Sequence, residues 1–227
     1  MRLPVLLSGY PAARYVAPFV VFMGLLALMP RLAIEPRLSL TVWLAAGAAS
    51  IVLFSTPALE FRPDRPLASV LLGVAVCALW LAPDLLVPGW RSSVLFQNAL
   101  TGELRSSLSA ATLADPWVLA LRSARAILIV PIAEELFWRG WLMRWIAAPK
   151  FDSLPLGHYD ARAFWLVAIM FAMEHGPYWD VGLATGIVYN WWMTRTRRLS
   201  DLVLAHAVTN ACLCGFVIAT GRWEYWQ

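Results

Sequence analysis

Seven stretches of this chain are too apolar, for too long, to belong to a water-soluble domain. Runs at about 16–34, 38–59, 66–88, 117–147, 161–175, 181–194 and 199–220 are predominantly apolar. Most approach the roughly 20 residues that a helix needs to cross a hydrocarbon core about 30 Å thick. Backbone inside lipid must satisfy its own hydrogen bonds, so a spanning segment is either a helix or part of a closed barrel. No strand-like alternation of apolar and polar residues is present, which removes the barrel. The pattern predicts an all-α, polytopic membrane helix bundle of about seven to eight transmembrane helices. The fourth run is long enough to be tilted or broken near Pro131, and the fifth and sixth are short enough for partial or tilted crossings.

Charge supports the same class. Only 14% of the 227 residues are charged and 60% are hydrophobic, where a soluble domain carries about 25% charged. Many of the 13 Trp lie near span ends, where amphipathic rings settle at the headgroup level. A net charge of +4 invites a nucleic-acid reading, but the basic residues sit in short loops and form no patch, so no nucleic-acid partner is expected. With seven spans and a cytoplasmic N-terminus, Arg2, Arg14, Arg62, Arg65, Arg144, Lys150, Arg162, Arg195, Arg197 and Arg198 fall inside. Arg31, Arg37, Arg91, Arg105 and Arg222 then fall outside. That asymmetry favours this orientation and a multi-pass protein of the cell inner membrane. Arg2 and Arg14 precede the first run as in a signal peptide, yet no small-residue cleavage site follows, so a retained span is expected. Cys77, Cys212 and Cys214 each lie in an apolar run and read as small core residues.

Residues 89–115 are more polar and read as a loop carrying an amphipathic interfacial helix. They divide the chain into N-terminal hairpins with that interfacial segment (1–115), a helical core (116–220) and a short tail (221–227).

Three polar clusters interrupt the apolar runs of the core. An ionisable side chain at bilayer depth costs roughly 2.5–3.5 kcal/mol or more, so such residues mark function or a tightly packed ion cluster. In Ala133-Glu134-Glu135-Leu136-Phe137-Trp138-Arg139, Glu135 and Arg139 stand at i,i+4 and can pair, while Glu134 is rotated about 100° away. Spacing alone is equally compatible with both acids and Arg139 forming one buried structural cluster. His175 closes Phe171-Ala172-Met173-Glu174-His175 just before Gly176-Pro177, where a lone His can simply cap a helix; Glu174 beside it is expected to face solvent or a headgroup. His206 and Asn210 are again at i,i+4, compatible with an interhelical hydrogen-bond pair. All of these belong to residue types that perform acid–base chemistry.

Taken together, Glu-Glu-x-x-x-Arg, Phe-x-x-x-His and His-x-x-x-Asn, in this order on successive hydrophobic segments, resemble the CAAX-protease and bacteriocin-processing family of intramembrane glutamate proteases. The resemblance covers about residues 116–215. The opening Arg14-Tyr-Val-Ala-Pro-Phe-Val-Val-Phe-Met and the closing Thr220-Gly-Arg-Trp-Glu-Tyr-Trp226 also resemble a bacterial branch associated with exosortase protein sorting. The family resemblance implies a CAAX-type endopeptidase with no metal and no cofactor. Glu134, His175, His206 and Asn210 would be catalytic: Glu134 as general base on a water that His175 helps to hold, His206 and Asn210 as oxyanion donors. Glu135 and Arg139 would support that geometry. The chain is shorter than the eukaryotic prenyl-protein proteases, so its membrane protein or lipidated peptide substrate can be a prenylated C-terminus or the tail of an exported or anchored protein. Its oligomeric state is left open.

Other readings use the same residues. A zinc-dependent membrane protease would take His175, His206 and a carboxylate as ligands, although the His-Glu-x-x-His signature is absent. A non-catalytic membrane partner or immunity-type protein would use the fold to hold another protein. A proton-coupled transporter would use the acids as a relay.

Overall fold

The computed structural model describes residues 10–60, 62–106 and 108–226. Arg2 and the end of the tail, Gln227, lie outside the described residues. Seven helices correspond to the seven apolar runs: α1 Ala13–Arg31, α2 Pro36–Ala58, α3 Pro66–Leu86, α4 Pro116–Ala147, α5 Ala161–Met173, α6 Trp179–Thr196 and α7 Leu199–Thr220. No strand occurs among the described residues. Five of the helices (α1–α4 and α7) are long and apolar enough to cross a membrane, and the protein is a multi-pass membrane protein. Helix α5 has 13 residues, roughly 20 Å at 1.5 Å per residue, and is too short to cross alone. Helix α6 is longer but carries buried Thr185 and Asn190.

Local chemistry sets the ends of the helices. Proline occupies the first position of α2, α3 and α4, where its missing N–H costs nothing and its φ is already helical. The side chains of Glu35, Asp115 and Asp160 accept from backbone N–H groups of the first turns of α2, α4 and α5, satisfying donors that have no partner within the helix. Gly221, in the left-handed region, stops α7.

Helix α4 is continuous through Pro131 instead of breaking there. It absorbs the proline by widening into a π-helical turn at Arg125–Ile129, and the helix widens again at Leu136–Leu142. The expected interfacial helix within 89–115 is not formed. Among the described residues that segment holds one turn of α-helix, Ala110–Leu113, and a 3₁₀ turn, Trp90–Ser92. Turns suffice there because buried Arg91 clamps the loop to the body: Nε donates to Asp84 at 3.0 Å, and Nη1 to Asp180 at 2.6 Å and to the Pro177 carbonyl at 2.7 Å.

Small residues bring the helices that matter into backbone contact. A Cβ on Gly73 of α3 would lie 2.4 Å from the Ala205 carbonyl oxygen of α7. A Cβ on Gly186 of α6 would lie 3.0 Å from Ala168 of α5, and Gly182 makes a similar approach to His175. Gly182 and Gly186 form the small-xxx-small spacing that lets helices approach closely in lipid. On the other side of α4, Phe19 of α1 stacks on Phe137 at 4.0 Å.

Candidate active site

Helix α4 carries both acids in the bundle interior, and the structure treats them differently. Glu135 and Arg139 are both fully buried. One guanidinium nitrogen, Nη1, reaches both Glu135 oxygens at 3.2 and 3.1 Å, as the i,i+4 spacing predicts. Arg139 Nε donates to Asn190 Oδ1 at 2.8 Å, and Asn190 in turn donates to the Phe164 carbonyl at 2.7 Å. The Arg139 guanidinium also lies over the Phe171 ring, 4.6 Å from its centroid. A charge with no water around it needs this density of partners. Glu135 completes its set by accepting from His206 Nδ1 at 2.8 Å.

Glu134 lacks such a set. Its Oε2 is buried with no hydrogen-bond partner, and the nearest cationic or imidazole group is His206 Nε2 at 4.0 Å. It borders a cavity of about 260 Å³.

The two histidines are held by bonds that define which nitrogen is free. The His175 N–H bonds to Ala172, leaving the Phe171 carbonyl without a backbone donor; His175 Nδ1–H donates to it at 2.6 Å. Nε2 therefore carries the lone pair of the neutral ring. His206 donates from Nδ1 to Glu135, so its Nε2, on the Glu134 side, accepts when the ring is neutral and donates when it is protonated.

Asn210 has a structural task as well. In the wide turn of α4 the Val130 N–H bonds to the Arg125 carbonyl, and Pro131 has no N–H to offer. The Ala126 carbonyl is thus left over, and Asn210 Nδ2 donates to it at 2.7 Å. The second amide proton of Asn210 remains.

Glu134, His175, His206 and Asn210 all line the one cavity, whereas Glu135 and Arg139 stand behind it. The folding of α4, α5 and α7 brings together all four residues singled out as catalytic. Glu174 differs from expectation. It lines the same cavity and its Oε2 is buried without a partner, because α5 ends at Met173 and the chain turns inward one residue later. Sequence reasoning also passed over Asn190, Arg122 and Arg125. Arg122 and Arg125 border the cavity, and two arginines inside an apolar run were themselves a signal.

No three His, Cys, Asp or Glu side chains among the described residues are grouped so as to hold a metal ion, so the residues present do not fit the zinc site considered from sequence. All three cysteines are free.

Residues 116–212 match a family model described as type II CAAX prenyl endopeptidase Rce1-like. This core belongs to the CAAX-protease family. The CAAX-protease core begins at the first residue of α4, runs into α7, and contains every cavity residue named from the three motifs. Together with the spanning helices, this match supports a CAAX-type protease in a lipid bilayer. No curated protein and no solved structure matches the chain.

Proposed function

We propose that the protein is an intramembrane peptidase of the inner membrane, in which Glu134 activates a water molecule to hydrolyse a peptide bond of a membrane-anchored or lipid-modified protein. The observation that carries this reading is the asymmetry of the two acids. Glu135 is consumed by Arg139 and His206, while Glu134 has an unpartnered oxygen at the cavity. A general base must have a free lone pair within reach of the proton it takes.

The steps follow from the free atoms. A water between Glu134 and His175 Nε2 is oriented by both acceptors. Glu134 takes its proton as the oxygen attacks the carbonyl carbon. The developing oxyanion is met by His206 Nε2–H, on a ring whose positive charge Glu135 balances, and by the second amide proton of Asn210. Preorganised donors of this kind are worth about 2.7–4 kcal/mol each. Collapse of the tetrahedral adduct breaks the C–N bond, and the proton held by Glu134 passes to the leaving nitrogen. In this division α4–α7 form the catalytic unit, and α1–α3 frame it. The exosortase-associated branch would assign it the tail of an exported protein; the wider family would assign it a prenylated C-terminus.

The test compares membrane-protein termini by mass spectrometry in cells with the gene, without it, and with Glu134→Gln. New termini present only with the wild-type protein are expected. The same termini with Glu134→Gln at normal protein level would contradict the proposal.

A further inference from the structure

The hydrolytic steps leave one acid at the cavity without a task. Glu174 sits where α5 ends, and local geometry decides which way it points. Met173 is 69% exposed and faces away from the bundle. Successive residues of a helical turn are about 100° apart, so Glu174 and His175 swing to the inner side. The His175 N–H bonds back to the Ala172 carbonyl at 3.1 Å, and Gly176, at a φ of 53°, turns the chain sharply. Gly182 of α6 holds this turn in place, since a Cβ there would lie 3.3 Å from His175 Cβ. Glu174 thereby reaches from α5 into the cavity that Glu134 borders from α4.

Two carboxyl groups then share a space of about 260 Å³. Glu134 is only 6% exposed, and the Oε2 atoms of both acids are buried without a hydrogen bond. Among the described residues neither acid pairs with an arginine. Glu134 has His206 Nε2 at 4.0 Å, and Glu174 has the Trp138 indole beside it, which brings an N–H but no charge. Of the charges around Glu134, that of Glu174 acts on it most strongly, ahead of the adjoining Glu135. Two carboxylates facing one site cannot both be ionised at small cost, so such a pair retains a proton.

Peptide hydrolysis needs a proton of this kind, because an amide nitrogen leaves only when it is protonated as the C–N bond breaks. Other donors near Glu134 are already committed. The His175 Nδ1–H is held by the Phe171 carbonyl, His206 Nε2–H meets the oxyanion, and the Tyr189 hydroxyl is bonded to Thr209. A phenol, with a pKa of about 10, is in any case a far weaker acid than a carboxyl group at about 4.3. We propose that Glu174 is a second catalytic acid of this site, which gives its proton to the leaving nitrogen and recovers one from Glu134. The pair starts with its proton on Glu174. Glu134 takes a proton from water as the O–C bond forms. Glu174 donates to nitrogen as the C–N bond breaks, releasing an amine and a carboxylic acid. The proton on Glu134 then crosses through water to the Glu174 carboxylate, and the pair again holds one proton. This rests on the peptidase reading above and supplies the path by which the proton held by Glu134 reaches nitrogen.

The experiment uses a peptide copied from a terminus that appears only with the wild-type protein, and the same peptide with sulfur in place of the scissile N–H. A thiol has a pKa of about 8.5, so a thiolate departs without the protonation that nitrogen requires. Both substrates are assayed on the purified full-length protein in detergent. Glu174→Gln should lower kcat for the peptide at least about 10²-fold with KM nearly unchanged, and lower thioester hydrolysis by less than about threefold. Glu134→Gln should lower both, since both need an activated water. Equal losses on the two substrates, a loss confined to KM, or no loss from Glu174→Gln would overturn the role of Glu174 and leave the peptidase reading standing. Absence of any such terminus, hydrolysis of neither substrate by wild type, or hydrolysis of both by Glu134→Gln at the wild-type rate would overturn the peptidase reading itself. Should Glu174→Gln not accumulate, Glu174→Asp decides through its peptide-to-thioester ratio. A ratio at least about tenfold below wild type is expected, and an unchanged ratio overturns the assignment.

Discussion

The two sides of α4 at Glu134 and Glu135 are one residue apart and chemically opposite. Behind the helix, Glu135, Arg139, Asn190 and His206 Nδ1 form a chain in which each polar group has a partner. In front of it, Glu134 and Glu174 each present a buried oxygen with none. Burial alone therefore does not distinguish a structural charge from a working one. The number of partners separates Glu134 from Glu135, and an unsatisfied buried charge is costly.

Removing a member of the saturated region should have the largest effect on the fold. Arg139→Ala breaks a buried ion pair and leaves Glu135 with His206 as its remaining partner, a loss of about 3–5 kcal/mol. Thermal unfolding in detergent and yield should both show it, and a normal melting temperature would mean the network is less structural than its geometry. His206→Ala touches both regions, since the ring ties Glu135 while its Nε2 faces Glu134. Turnover is expected to be abolished, with a stability loss of about 1–3 kcal/mol from the unpaired Glu135 oxygen; loss of turnover without any shift in melting would separate the two roles.

On the open side the effects should be on rate. His175→Ala is expected to abolish cleavage, a loss on the order of 10²–10⁴-fold, with little change in melting, because the Phe171 carbonyl it releases lies at a helix end. Equal losses of rate and stability would assign His175 to capping alone. Asn210→Ala should be the mildest of these, lowering turnover about tenfold to a hundredfold, since His206 remains as an oxyanion donor. A modest fall in melting should accompany it from the orphaned Ala126 carbonyl.

Much of this arrangement was legible before any coordinates. Helix ends were marked by Pro36, Pro66 and Gly176, and the Glu135–Arg139 pair by its i,i+4 spacing. Three short motifs in order were enough to find four of the residues that share the cavity. What was hidden depends on contacts distant in sequence or on helix irregularity. Asn190 gives no sign that it holds Arg139 across the bundle. The π-turn that frees the Ala126 carbonyl arises only when Pro131 is accommodated within an unbroken helix. Glu174 was misjudged because the sense of the turn after Met173 decides which way it faces.

The division of labour between the neighbouring acids is tested most directly by Glu134→Gln and Glu135→Gln side by side, each assayed for cleavage rate and thermal unfolding. Glu134→Gln should lose at least about 10²-fold in rate while melting like wild type, and Glu135→Gln should melt clearly lower. A stable, inactive Glu135→Gln beside an unstable or active Glu134→Gln would reverse the assignment.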